Sequence, residues 1–168
     1  MAHYDIRHSI TRIASTIFSV IVVVAMASPT SADGHAISGP AHVIDGRTME
    51  IEGVRYTLYG IAVPDLEQTC AWPDKTIPCG DVARTALMDL VVASTVTCDV
   101  VDDTPLPDGY TPARCEIDGF DIGRNMVHTG WAVADRRTAD VYTDTEEKAR
   151  SAKRGLWKGT FTMPDGVL

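Results

Sequence analysis

Four cysteines, Cys70, Cys79, Cys98 and Cys115, offer the most definite chemistry in this sequence. Their number is even and none stands in the tight CxxC spacing usual for zinc. Two disulfides are therefore expected if the chain meets an oxidising compartment, with a four-cysteine zinc site as the alternative. Of the three pairings, Cys70–Cys79 with Cys98–Cys115 is preferred. The first would clip a loop containing Pro73 and Pro78, and the second would join two strand-like stretches. Tyr56, Tyr59 and Tyr110 could form a stacking platform for bases or sugar rings. Without a basic groove beside them, packing in the core or at its rim is the simpler expectation. His35 and His42 lack metal-ligand spacing, and His128 is expected at an exposed helix end. Asp99, Asp102 and Asp103 read as a solvated acidic loop. Trp131 and Trp157 are expected to seal helices against the core.

The chain that must position these groups has 168 residues, a formal charge of −8 and an isoelectric point near 4.9. Its length suits one domain. Its acidity argues against nucleic acid as a partner, because neutralising phosphates needs clustered Lys and Arg. GxGxxG, the Walker phosphate loop, HExxH and GxSxG are absent, which removes the commonest nucleotide and hydrolase signatures. Arg7 and Arg12 precede a short apolar run, Ile13 to Ala27, and small residues follow at Thr30 and Ala32. That order predicts a signal peptide over 1–32, cleaved after Ala32 or, as second choice, at Ala25-Met26-Ala27. The run is short for an uncleaved anchor, so no stable membrane span is expected after cleavage. The expected location is secreted or periplasmic.

Periodicity supplies the elements. Ala41 to Asp45 and Thr48 to Ile51 read as short strands. Val54 to Leu58 alternates, with Val54, Tyr56 and Leu58 on one face and Arg55, Thr57 and Tyr59 on the other. Residues 64–80, rich in proline, read as a loop. Val82, Ala86, Leu87, Leu90 and Val91 recur at helical spacing and predict a helix over 81–93. Strands follow at 95–101 and 113–117, then a short helix from Asp121 to His128 ending at Gly130. Thr143-Asp144-Thr145-Glu146 reads as a capping box opening a last helix, with Glu146 and Arg150 as an i,i+4 pair. Strands around one central helix, followed by terminal helices, suggest a small OB-type barrel.

The order of short motifs is more specific. Val43-Ile44-Asp45-Gly46-x-Thr48 precedes Leu58-Tyr59-Gly60-Ile61-x-x-Pro64, then Cys79-Gly80-x-x-Ala83-Arg84-x-x-Leu87 and Ala113-Arg114-Cys115. Met126-Val127-x-x-Gly130-Trp131-Ala132 and Ala149-Arg150 through Gly155-Leu156-Trp157 complete the series. Together they resemble the secreted thermonuclease (staphylococcal nuclease-like) family over nearly all of the mature part. The resemblance implies an α+β, mainly β, fold over 33–168: a five-stranded OB-fold barrel with about three helices.

The resemblance also implies a site that cleaves phosphodiesters with one calcium ion. Two carboxylates would hold the metal, a glutamate would stand near the attacking water, and two arginines would neutralise the phosphorane. This sequence departs at each point. The second acid of the metal-binding turn is Arg47, and the acid after Gly60-Ile61 is Ala62. The first arginine is Thr57, the glutamate is shortened to Asp65, and Asp108-Gly109-Tyr110-Thr111-Pro112 offers no second arginine. A guanidinium at position 47 would repel a hard dication that needs several oxygen ligands. The expectation is therefore a nuclease fold without the nuclease, needing no cofactor. It would serve as a binding or structural module for an unidentified ligand or envelope partner. Asp45, Arg47, Thr57, Tyr59 and Tyr110 are its candidate binding residues. Some secreted relatives are associated with exopolysaccharide production, which suggests that direction. The alternative is a calcium-dependent nuclease with a rearranged site, for which Asp65, Glu67, Arg55 and Arg114 are the catalytic candidates.

Overall fold

A computed structural model of the protein describes residues 36–102 and 106–164. The expected signal segment, His35 and Asp103 lie outside the described residues. The alternating run around Tyr56 forms strand β4 (Val54–Leu58), which hydrogen-bonds antiparallel to β3 (Thr48–Ile51) on one side. On its other side it pairs in parallel with β9 (Thr111–Ile117). With neighbours on both edges, β4 is buried on both faces at its second half: Tyr56, Thr57 and Leu58 are all enclosed. Thr57, on the face opposite Tyr56 and Leu58, is thus interior as well.

The main sheet also contains β1 (Ala36–Gly39), β2 (His42–Val43), β8 (Val96–Val100) and β10 (Phe120–Asp121). Its order is β1-β8-β9-β4-β3-β2, with β10 folded onto β9. Among the described residues the hydrogen-bonded path does not close into a barrel. β1 nevertheless returns against β3, next to the far edge, since a Cβ placed on Gly39 would stand 3.1 Å from Cγ2 of Ile51. The result is an α+β, OB-like sheet curled around one core that includes Met49, Ile51, Leu58, Leu87, Val96 and Met126. Two small ladders are added: β5 (Ile61–Ala62) with β11 (Val133–Ala134), and β6 (Cys70–Trp72) with β7 (Lys75–Ile77). The last pair corrects the loop expected over 64–80, where Trp72-Pro73-Asp74-Lys75 turns a hairpin.

Both disulfides form with the expected pairing. Cys98 and Cys115 face one another in register across β8 and β9. Helix α1 (Cys79–Val91) buries Ala83, Leu87 and Val91, one residue every four, against the sheet. It starts two residues earlier than its apolar spacing suggests, directly at the Cys79 bridge. Gly80 in its first turn has no room for a side chain, because a Cβ there would fall 1.9 Å from the Asp65 carbonyl oxygen. That close approach locks the loop carrying Asp65 onto the helix.

Helix α2 (Ile122–Thr129) is capped by Asp121, whose Oδ1 accepts the Arg124 amide at 2.8 Å, and ends at the left-handed Gly130. Asp121 also accepts the Tyr142 hydroxyl at 3.0 Å, tying α2 to the start of α3 (Thr143–Ser151). Burial first, and the Asp121 carboxylate second, hold the Tyr142 phenol well above its ordinary pKa. The expected capping box at α3 does not form. Its cap position is Tyr142, whose side chain makes no bond to the first amides of the helix, and the Thr143 hydroxyl is buried without a partner. Glu146 turns inward instead: its Oε2 accepts the Ala134 amide and an Arg136 guanidinium N–H, both at 3.2 Å. Arg150 correspondingly leaves Glu146 and stacks over Trp157, 4.5 Å from the ring centroid. A 3-10 turn, Gly155–Lys158, follows α3. Trp131 and Trp157 pack at the edge of a second apolar cluster around Ala62, Ile77, Val133 and Leu156.

Candidate functional site

The turn Asp45-Gly46-Arg47 between β2 and β3 is held by one side chain. Asp45 Oδ1 accepts the backbone amides of Arg47 at 2.8 Å and Thr48 at 2.9 Å. Gly46 lies against α1, where a Cβ would stand 3.0 Å from the Ala83 Cβ. The turn and the β5 segment then form opposite walls of a cleft of about 310 Å³, lined by Asp45, Arg47, Ala62, Val63, Asp65 and Arg137, among others. Arg47 is half-buried in this cleft and makes no ion pair among the described residues.

Arg137 was not foreseen. It reaches the cleft because β11 pairs with β5 and the Asp135 amide donates to the Gly60 carbonyl at 2.9 Å. Asp135 is only 3% exposed. It accepts a two-pronged bond from Arg137, Nε to Oδ1 at 2.9 Å and Nη2 to Oδ2 at 2.8 Å. Burial pushes the Asp135 carboxyl up, but the Arg137 hydrogen bonds and charge outweigh it, with help from Arg47. The net displacement is downward. A carboxyl that binds its proton less readily when folded adds stability above the ordinary aspartate pKa near 4, and that contribution is lost as pH falls below it. Asp135→Asn is therefore expected to destabilise the protein at pH 7 by about 1–3 kcal/mol. Chemical denaturation at pH 7 and pH 3 checks this, and an equal gap between the two proteins at both values contradicts it.

Of the anticipated residues, the fold gathers Asp45, Arg47 and Asp65 around one cleft. Glu67 is exposed and does not line it. Arg55 lies across the sheet surface beside Glu50, at 3.6 Å. Arg114 stands over the Tyr59 ring, 5.8 Å from its centroid, while the Tyr59 hydroxyl donates to the Thr138 carbonyl. Thr57 faces Thr48 across the ladder, and both hydroxyls are buried without hydrogen-bond partners. Tyr110 sits at the entry to β9, where its amide donates to Asp108 Oδ1 at 3.2 Å. The Asp135-Arg136-Arg137 run was visible in the sequence, but only the β5–β11 pairing brings it to the cleft.

The family model for staphylococcal nuclease homologues matches residues 55–159. Succinoglycan biosynthesis protein ExoI of Rhizobium meliloti (strain 1021) is 31% identical over 148 residues, covering 85% of this chain and 75% of that protein. The chain belongs to the staphylococcal nuclease homologue family. Within the family match lie Thr57, Ala62 and Asp65; the turn of Asp45 and Arg47 precedes it.

Calcium, which the nuclease resemblance implies, does not fit the residues of this family member. Asp45 has Oδ1 engaged by two amides and could offer only Oδ2, Ala62 supplies no oxygen from its side chain, and Arg47 brings a positive charge into the cleft. Among the described residues no group of three or more His, Cys, Asp or Glu side chains is placed to hold a metal ion. Nor could Thr57 stand in for an arginine, being short and 6% exposed.

Proposed function

We propose that the chain is an exported, non-hydrolytic member of the nuclease homologue family that serves as a binding module in exopolysaccharide production. The observation that carries the loss of hydrolysis is Arg47 lining the cleft beside Ala62, where the resemblance calls for two metal carboxylates. Removing a single group that stabilises the developing oxyanion typically costs about 2.7–4 kcal/mol, and here two arginines are missing along with the metal ligands. What remains is an arginine-bearing cleft suited to holding an anionic group rather than attacking one. The name of the ExoI relative, a succinoglycan biosynthesis protein, supports the polysaccharide setting. Two disulfides support an oxidising compartment, periplasmic or extracellular.

The test is cleavage of denatured DNA and of RNA by the oxidised protein, in calcium and in chelator. No cleavage above a mock purification is expected. Calcium-dependent cleavage that disappears in Asp65→Ala would establish a rearranged nuclease and overturn this reading.

A further inference from the structure

The chain has four lysines, and three of them, Lys75, Lys153 and Lys158, line one pocket with Trp72, Pro73 and Asp74. The pocket has a volume of about 390 Å³ and shares no lining residue with the Arg47 cleft. Trp72 forms its aromatic wall. The ammonium groups of Lys158 and Lys75 stand 4.5 and 5.5 Å from the Trp72 ring centroid. Behind it, Trp72 stacks on Trp131, with centroids 6.3 Å apart and planes at 25°. None of the three lysines makes an ion pair among the described residues, and Asp74 is the one carboxylate of the lining. Lys153 holds a left-handed backbone with φ of 50°, a conformation that costs a non-glycine residue and that glycine would adopt more cheaply.

This concentration of cations stands on a protein whose formal charge is −8. Cationic charge gathered on an indole, within an otherwise acidic surface, selects a particular ligand chemistry. With the ammonium groups and Trp131 already against the Trp72 ring, a ligand meets the cations first and must offer them a carboxylate, held beside the indole rather than stacked on it. It must also carry its charges far enough apart not to be repelled by the surrounding surface. A nucleic acid bears a phosphate on every residue and would need a longer basic track.

We propose that the Trp72–Lys75–Lys153–Lys158 pocket is a subsite for a carboxylated sugar ring of an acidic polysaccharide. The identity of this ligand rests on the polysaccharide reading above; the site itself rests on the lysine and tryptophan placement. The hairpin turn between β6 and β7 supplies Trp72 and Lys75, and the chain after α3 supplies Lys153 and Lys158. The two are joined by reciprocal bonds between Ala71 and Thr160, each 2.9 Å, so the walls are fixed relative to one another. Gly159 permits the join, since a Cβ there would fall 1.9 Å from the Ala71 carbonyl oxygen.

Titration of intrinsic tryptophan emission with oligogalacturonate, with neutral dextran and with an oligothymidylate tests the assignment. The expected result is a saturable response to oligogalacturonate and none to dextran. Binding should weaken about tenfold in Lys75→Gln and in Lys158→Gln, recover in Lys158→Arg, and stay unchanged in Lys148→Gln, which removes the same charge elsewhere. No response to oligogalacturonate overturns the proposal. So does an equal loss in Lys148→Gln, which would indicate unspecific attraction, or tighter binding of the oligothymidylate, which would make the pocket a nucleic-acid site. The cleavage assay keeps the two readings apart. Oligogalacturonate binding by a protein that also cleaves nucleic acid would leave the subsite standing and remove the non-hydrolytic reading. Absence of both activities would do the reverse.

Discussion

Replacing Cys98 and Cys115 together by alanine is expected to lower the thermal unfolding midpoint by about 10–15 °C. The bridge spans 17 residues in sequence. Closing a loop of that size in the unfolded chain is worth about 3 kcal/mol. A domain of this size shifts by about 4 °C for each kcal/mol. Both sulfurs are buried, at 0% and 3% exposure, so the substitution also empties part of the core between β8 and β9. Scanning calorimetry reads the effect. A fall of less than about 4 °C would mean that the ladder and core hold these strands without the covalent link. The Cys70–Cys79 bridge acts more locally, clipping the β6–β7 hairpin to the first turn of α1.

The second large effect is a gain. Arg47→Asp combined with Ala62→Asp should make the protein respond to calcium, whereas the unaltered protein and Arg47→Ala should not. Both positions line the same cleft as Asp45 and Asp65, so the double variant removes the cation and adds two oxygen ligands at once. With millimolar affinity, 10 mM calcium would stabilise the double variant by about 1.4 kcal/mol, or roughly 5 °C. Calorimetry with calcium and with chelator measures the difference. If the double variant shows no shift, the side chains at 47 and 62 are not what excludes the ion, and the account of the cleft given above fails.

How much of this was legible in the sequence depended on whether the determining contacts were local. The cysteine pairing, helix α1 through Leu87 and Val91 (though not its buried Ala83), and the Asp121-to-Gly130 helix were readable from spacing, and each depends on neighbours along the chain. The alternation at Val54 to Leu58 identified a strand but could not show that Thr57 is buried too, because the parallel partner β9 lies far along the chain. The apparent capping box failed for a similar reason: Glu146 is drawn inward by Ala134 and Arg136, partners that local pattern cannot supply. At the cleft, the turn of Asp45 and Arg47 was visible through its motif. Arg137 was invisible until β11 met β5. The Trp72 pocket escaped notice because its lysines are scattered along the chain and converge only through the join at Gly159.

Each bridge joins two consecutive cysteines, the first with the second and the third with the fourth, so the two neither cross nor nest. Under the export proposed above, oxidation in order of emergence from a translocation channel would yield the native pairing directly, with no reshuffling step. The strands follow a different timetable. β1 must wait for β8, and β4 for β9, before either ladder can zip. Covalent closure of the β6–β7 hairpin can thus precede assembly of the sheet, giving the folding chain one fixed corner while the rest is still searching for its register.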